Sequence, residues 1–158
     1  MPLDLLDLKL IELMLAEPRA GTREYARRLG VARGTIQSRL GRLERSGVIV
    51  SYAPQIAPGP LGFAVHAFVH VYVSLAKLDT AAAAVKQLPE VLEAYSVTGE
   101  ADMICRVVAA DNLALEHVVQ RMLALPGVVR TRTELALNER VAHRIAPLVA
   151  EAQRRRPT

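Results

Sequence analysis

Apolar residues near the start of the chain recur at helical spacing. Leu6, Leu10, Leu13 and Met14 share one face of Leu3–Ala16, with Asp4 as N-cap and Pro18 as stop. Thr22–Leu29 and Arg33–Arg45 predict two further short helices joined by a tight Gly30-Val31 turn, with Thr22 capping the first. The second carries Ile36, Leu40 and Leu43 at i, i+4 and i+7, so one stripe of it is apolar. Gly47 breaks that pattern, and Val48–Tyr52 predicts a short strand, either a small wing or an edge for a partner. Ala53–Gly62 holds three prolines, two glycines and no charge, the composition of a stiffened linker.

Beyond the linker the period changes to two. From Phe63 to Val73 the odd positions are aliphatic or aromatic (Phe63, Val65, Ala67, Val69, Val71, Val73), while Ala64, His66, Phe68, His70 and Tyr72 fill the even ones. Such a strand covers helices on one side and meets something else on the other. There follow a helix over Asp79–Leu88, a strand over Val91–Val97, a turn at 98–102 and a strand over Met103–Ala109. A helix over Asn112–Leu125, capped by Asp111, and a strand over Val128–Leu137 complete the series. Leu88-Pro89-Glu90-Val91 returns as Leu125-Pro126-Gly127-Val128, each copy ending a helix and opening a strand. Strand-helix-strand written twice is the ferredoxin-like βαββαβ arrangement, an α+β fold with helices on one sheet face. The other face, with His66, Phe68, Tyr72, Ile104 and Val108, is too apolar to leave in water, and a second subunit is its expected cover.

Charge separates the regions. Residues 1–52 carry nine basic and six acidic side chains, residues 63–137 six and eight, and residues 138–158 five and two. A basic head before a mildly acidic middle confines nucleic-acid binding to the first part. Eight arginines against two glutamates between Arg19 and Arg45 suit a phosphate backbone. On the Arg33–Arg45 helix, Gly34, Ser38, Gly41, Arg42 and Arg45 lie opposite the apolar stripe. Arg33 and Gln37 take one shoulder, Thr35 and Arg39 the other. This is the layout of a helix-turn-helix, whose second helix enters the major groove by its N-terminal end. The alternative for this stretch is a solvated, arginine-rich helix pair. The single Cys105 excludes an intrachain disulfide and a cysteine-rich zinc site. Acidic Asp4 and Asp7 close behind Met1 argue against a signal peptide, and no apolar run reaches membrane-spanning length, so the expected location is the cytoplasm.

In LGVARGTIQSRLGRLERSGVI, LPEVLEAYSVTGEAD and LPGVVRTRTELAL, taken in that order and spacing, the chain resembles the Lrp/AsnC (feast/famine) family of transcription regulators. The likeness runs from LDLLDLKLIELM to about Leu137. It implies a (winged) helix-turn-helix domain at 1–52, a linker at 53–62, a ferredoxin-like (RAM-type) effector-binding and oligomerisation domain at 63–140, and a C-terminal helix or tail at 141–158. It also implies dimers assembling to octamers or larger rings, with an amino acid or related metabolite as effector and no cofactor or metal. The chain departs from the family pattern at Ala32, where a serine usually caps the recognition helix, and at Met103, where an aromatic often follows the aspartate.

Residue roles follow. Arg33, Gly34, Gln37 and Ser38 are expected at base edges, where arginine and glutamine make bidentate contacts to guanine and adenine. Thr35 belongs to the same DNA-facing surface, and Thr22 enters the set at the head of the first helix. Arg27, Arg28, Arg42 and Arg45 are assigned to phosphates. Arg39 matches a characteristic family arginine and is either structural or phosphate-bound. The resemblance carries effector binding onto Thr98, Gly99, Glu100 and Asp102, and more loosely onto Met103 and Thr133; the alternative is a β-turn that needs Gly99 for its geometry. His66 and His70, four apart on one strand, are read as interface or core histidines, and Cys105 as a small buried hydrophobe. The Arg154–Arg156 run reads as a solvated tail that adds at most nonspecific DNA affinity. Two other functions compete: an architectural DNA-binding protein without effector, and a sirohaem decarboxylase, an enzyme class resembling the same family. The arginine-rich recognition helix argues against the enzyme.

Overall fold

The computed structural model describes residues 3–155. It divides into two compact units, Met1–Pro54 with Val141–Thr158, and Gln55–Arg140. The division falls inside the predicted linker, which also holds a short 3-10 turn at Gly59–Leu61.

The first unit is helical. Its helices α1 (Leu5–Ala16), α2 (Thr22–Leu29) and α3 (Arg33–Arg45) bring together Leu10, Tyr25, Ala26, Ile36 and Leu43, all buried. Leu13, Met14 and Leu40 pack against this cluster, and Leu6 lies outside it. Fully burying a leucine or isoleucine contributes about 1.5–3 kcal/mol, so this small cluster is the main drive for the unit. Asp4 caps α1 in a reciprocal capping box with Asp7: each side chain accepts from the other's backbone N–H, at 2.8 and 3.0 Å. Gly30 closes α2 in the left-handed region at φ +66°, which lets the chain turn tightly into α3.

Two expectations are corrected here. Thr22 does not cap α2; it is already the first helical residue, and Gly21 holds the N-cap position without any side-chain bond. Val48–Tyr52 forms no strand, because no described segment lies alongside to pair with it, and Val50 and Tyr52 stay exposed. The C-terminal helix expected within 141–158 is present and belongs to the first unit. Helix α6 (Ala146–Arg154) packs on α1, Val149 is buried, and the Gln153 side chain donates to Glu12 at 3.0 Å. Arg154 and Arg155 are ion-paired to Glu151, whereas Arg156 lies outside the described residues.

The second unit is a four-stranded antiparallel sheet in the order β2-β3-β1-β4, built from β1 (Val65–Val73), β2 (Val91–Ser96), β3 (Met103–Ala109) and β4 (Val128–Leu135). Helices α4 (Leu78–Val85) and α5 (Asn112–Leu123) cover one face, so the βαββαβ reading holds. The period-two pattern sorts as expected. Ala67, Val69 and Val71 join Met103, Cys105, Val107, Val85, Leu115, Val118 and Met122 in one buried core. The opposite face stays open: Phe68 is 40% and Tyr95 59% exposed. Val108, also assigned to the open face, is already buried within the chain.

The internal echo is structural. The N–H of Val91 donates to Leu88 and that of Val128 to Leu125, both at 3.1 Å, so the same turn feeds β2 and β4. The copies differ where the backbone does. Gly127 sits at φ +87°, and a Cβ there would lie 2.7 Å from the Lys77 Cβ; Glu90 occupies the matching place and pairs with Arg121. Gly127→Ala is therefore expected to destabilise this unit by about 2–4 kcal/mol, from left-handed strain plus overpacking. Urea unfolding measures it, and an unchanged midpoint would contradict the assignment.

Candidate functional site

Helix α3 presents its surface as the sequence predicted. Arg33, Gly34, Thr35, Gln37 and Ser38 are exposed along its first two turns, opposite buried Ile36 and Leu43. Its N-cap is Ala32, which makes no side-chain cap bond, so the first N–H groups of α3 are not capped by a side chain. A concavity of about 490 Å³ is lined by Gly34, Thr35, Ser38, Arg39 and Arg42. Farther along, Gly41 makes room for the Arg45 guanidinium, which lies 3.2 Å from where a Cβ would stand.

The arginines divide into two groups. Arg39 donates to Asp4 at 2.6 and 2.7 Å and to Asp7 at 2.7 Å, while Arg42 donates to Asp7 at 2.5 Å. Arg39 is thus a structural arginine joining α3 to α1. Arg42, expected at phosphates, likewise has its charge met by a carboxylate inside the unit. On α2, Arg27 and Arg28 hold Glu24 at 2.5 and 2.8 Å, and Arg28 also pairs with Glu17. Those two remain on the surface, where phosphate can compete for them. Arg19, Arg23, Arg33 and Arg45 make no ion pair among the described residues.

Sequence reasoning missed Asp7, the one charged side chain that is buried among the described residues. The signal was available: Leu3, Asp7, Leu10 and Met14 follow helical spacing, and Asp7 stands where a hydrophobe belongs. Its neighbour Asp4 has its carboxyl below the ordinary range. Partial burial works against this, but hydrogen bonds from Arg39 and the Asp7 N–H outweigh it.

In the second unit the register decides which effector candidates meet. Tyr95, Ile104, His70 and Arg132 form one row across all four strands of the open face. Thr98 and Glu100 join His70, Tyr72, Val97, Ala101, Ile104 and Arg132 around an open concavity of about 460 Å³. Arg132 stands 3.3 Å from the His70 Nε2 and 3.0 Å from Glu134, and Arg130 stacks 3.8 Å over the Tyr72 ring. Gly99, at φ +129°, supplies the turn that aims Thr98 and Glu100 here.

Three effector candidates stand apart from the lining of this concavity. Met103 is buried in the core beneath the helices. Thr133 pairs with Val69 and so shares the helix-covered side of the sheet, not the face of the concavity. Asp102 staples the turn: its carboxylate accepts the Val73 N–H at 2.8 Å and its own N–H donates to Val71 at 3.1 Å. His70, Tyr72, Ile104 and Arg132 were not singled out as lining of this concavity, although the strand alternation put His70 and Tyr72 on this face. Cys105 lies on the buried side, and burial pushes its thiol up to about 11, which makes it unreactive. Among the described residues no three histidine, cysteine, aspartate or glutamate side chains gather as metal ligands would, and no helix is long and apolar enough to cross a membrane.

An exposed recognition-helix face in one unit and a one-sided sheet with a charged concavity in the other define a DNA-binding regulator class. The sequence profile of a winged helix-turn-helix DNA-binding domain matches residues 3–50, and that of the Lrp/AsnC ligand binding domain matches residues 66–146. The chain is 32% identical over 136 residues to the HTH-type transcriptional regulator FL11 of Pyrococcus horikoshii, covering 86% of this chain and 90% of that one. Among solved structures it superposes on Escherichia coli AsnC with a TM-score of 0.86 at 27% identity, covering 93% of this chain and 100% of that one. A Mycobacterium tuberculosis feast or famine regulatory protein complexed with L-methionine gives a TM-score of 0.84 at 34% identity, with 91% and 98% covered. The chain belongs to the Lrp/AsnC family of DNA-binding transcription regulators.

The Arg-Glu pairs of α2 predict an acid response. Hydrogen bonds from Arg27, then Arg28, hold the Glu24 carboxyl at about 2 against an ordinary 4.5. The folded value lies below the unfolded one, so the stability this group contributes is fully present above about pH 4.5 and is lost as pH falls toward 2. Thermal melts across that window should fall less steeply for Glu24→Gln than for the wild type. Parallel curves would show that Glu24 is not held as described.

Proposed function

We propose that this regulator binds its operator sequence-specifically through the first two turns of α3 and responds to an amino acid or related metabolite held at the open sheet face. The observation that carries the DNA half is the exposure of Arg33, Gln37 and Ser38 opposite buried Ile36 and Leu43. Arg33 and Gln37 suit guanine and adenine edges, and Arg45, Arg27 and Arg28 suit phosphates. Gly34 admits close approach of the DNA backbone, because nothing stands within 4 Å of its Cβ position.

The effector half is supported by opposite charges around one concavity. Arg132 suits the carboxylate of a zwitterion and Glu100 its ammonium, with Thr98 as a neutral partner and Tyr72 and Ile104 as an apolar wall. A second copy of the chain is the cover that the exposed Phe68 and Tyr95 call for, and higher assembly to an octamer would follow. The proposed location is the cytoplasm, where DNA and free amino acids meet. No enzymatic role is proposed: the relatives are named as regulators.

The experiment compares two variants on the protein's own upstream duplex. Arg33→Ala should cost about 1–3 kcal/mol and relax base preference at particular positions, while Arg45→Ala should weaken all sequences alike and lower the salt slope by about one. Binding-site selection and salt titration read the two effects. Identical behaviour of both variants would remove the division between base and phosphate contacts.

A further inference from the structure

The eight arginines that make the helix-turn-helix look strongly basic do not all carry net charge toward DNA. Arg39 and Arg42 lie on α3 next to its DNA-facing residues and line the same concavity as Gly34, Thr35 and Ser38. Both are turned back onto α1. Arg39 is 21% and Arg42 36% exposed, and the Oδ1 of fully buried Asp7 accepts from both. The Arg42 Nε is buried there without a hydrogen-bond partner. With Asp4 included, two guanidiniums face two carboxylates, and this part of the surface is neutral.

The α2 pairs differ in kind. Glu24 is a surface carboxylate held by exposed Arg27 and Arg28, and salt or a phosphate can replace it. Asp7 is out of reach of solvent, so its hold on Arg39 and Arg42 is screened far less. Phosphate contacts supply affinity that ignores sequence, and base contacts supply discrimination.

We infer that Asp7 is a specificity-determining positioning residue. It withholds two guanidiniums from the DNA backbone, keeps the concavity beside Gly34 and Ser38 open, and leaves binding dependent on the base-facing turns of α3. This rests on the reading of α3 as the DNA-contacting helix. Without the carboxylate, Arg39 and Arg42 swing outward, sequence-independent affinity rises, and the ratio of specific to nonspecific binding falls.

The test is a salt titration of the full chain on a mixed-sequence duplex unrelated to its upstream region, from about 50 to about 200 mM salt. Asp7→Asn is expected to steepen the log–log slope by about one to two, and Asp7→Asn with Arg39→Gln and Arg42→Gln to return it to the wild-type value. A residue that merely holds α1 in place would lower affinity on every duplex and leave the slope alone, which would overturn the inference. Should Asp7→Asn fail to fold by circular dichroism, Arg42→Gln alone decides. An unchanged slope supports the withholding, and a slope shallower by about one shows Arg42 on phosphate and overturns it. If the wild type binds neither this duplex nor its upstream DNA at low salt, the DNA-binding reading falls and takes this inference with it. If it binds and only the slopes disagree, the regulator stands and the role of Asp7 does not.

Discussion

One buried carboxylate sets the geometry of the DNA-binding unit. Moving an ion of that size out of water costs several kcal/mol even after relaxation, and only well-placed partners offset it. Asp7 has three: the Arg39 and Arg42 guanidiniums and the Asp4 N–H. Those contacts require α1 and α3 to meet at one register, because a turn's displacement of either helix would strand the charge. The apolar cluster of Leu10, Tyr25, Ile36 and Leu43 drives the helices together without dictating that register so sharply. The consequence reaches the site, since α3 is presented to solvent with its first two turns outward and two of its arginines drawn inward.

The second unit obeys a different constraint. A sheet with helices on one side must bury that side and leave the other, and strand alternation fixes which residue goes where. Register then assembles the concavity from three strands and the 97–101 turn: Ile104, His70 and Arg132 stand in one row. Asp102 and Gly99 complete it indirectly, one by stapling the turn to β1 and the other by allowing the turn at all. The charged groups that meet here come from segments far apart in the chain, brought together by pairing rather than by a motif.

What could be read from the sequence was local. The bounds of α2, α3 and β3 follow from short-range periodicity, while Asp4, Gly30 and Asp111 mark one end each of α1, α2 and α5 by capping chemistry that acts within a few residues. The βαββαβ order follows from the repeated turn before β2 and β4. What escaped was nonlocal or one step out of phase. Arg42 looked like a phosphate contact because its partner lies 35 residues away, and nothing near it in sequence reveals Asp7. Met103 and Thr133 were chosen by position in a motif, whereas their faces are decided by strand phase, which puts both on the helix-covered side. Val48–Tyr52 has the composition of a strand, but a strand needs a neighbour to satisfy its backbone, and none of the described residues supplies one. Thr22 is a good capping residue that sits one place too late.

The most direct measurement is competition binding of the wild-type protein to its own upstream duplex and to a scrambled duplex of equal length, with and without each member of an amino-acid panel. The account predicts a preference of about a thousandfold or more for the upstream duplex, changed by at least one amino acid. Equal binding to both duplexes, indifferent to every ligand, would contradict it and leave a DNA-binding protein that is architectural rather than regulatory.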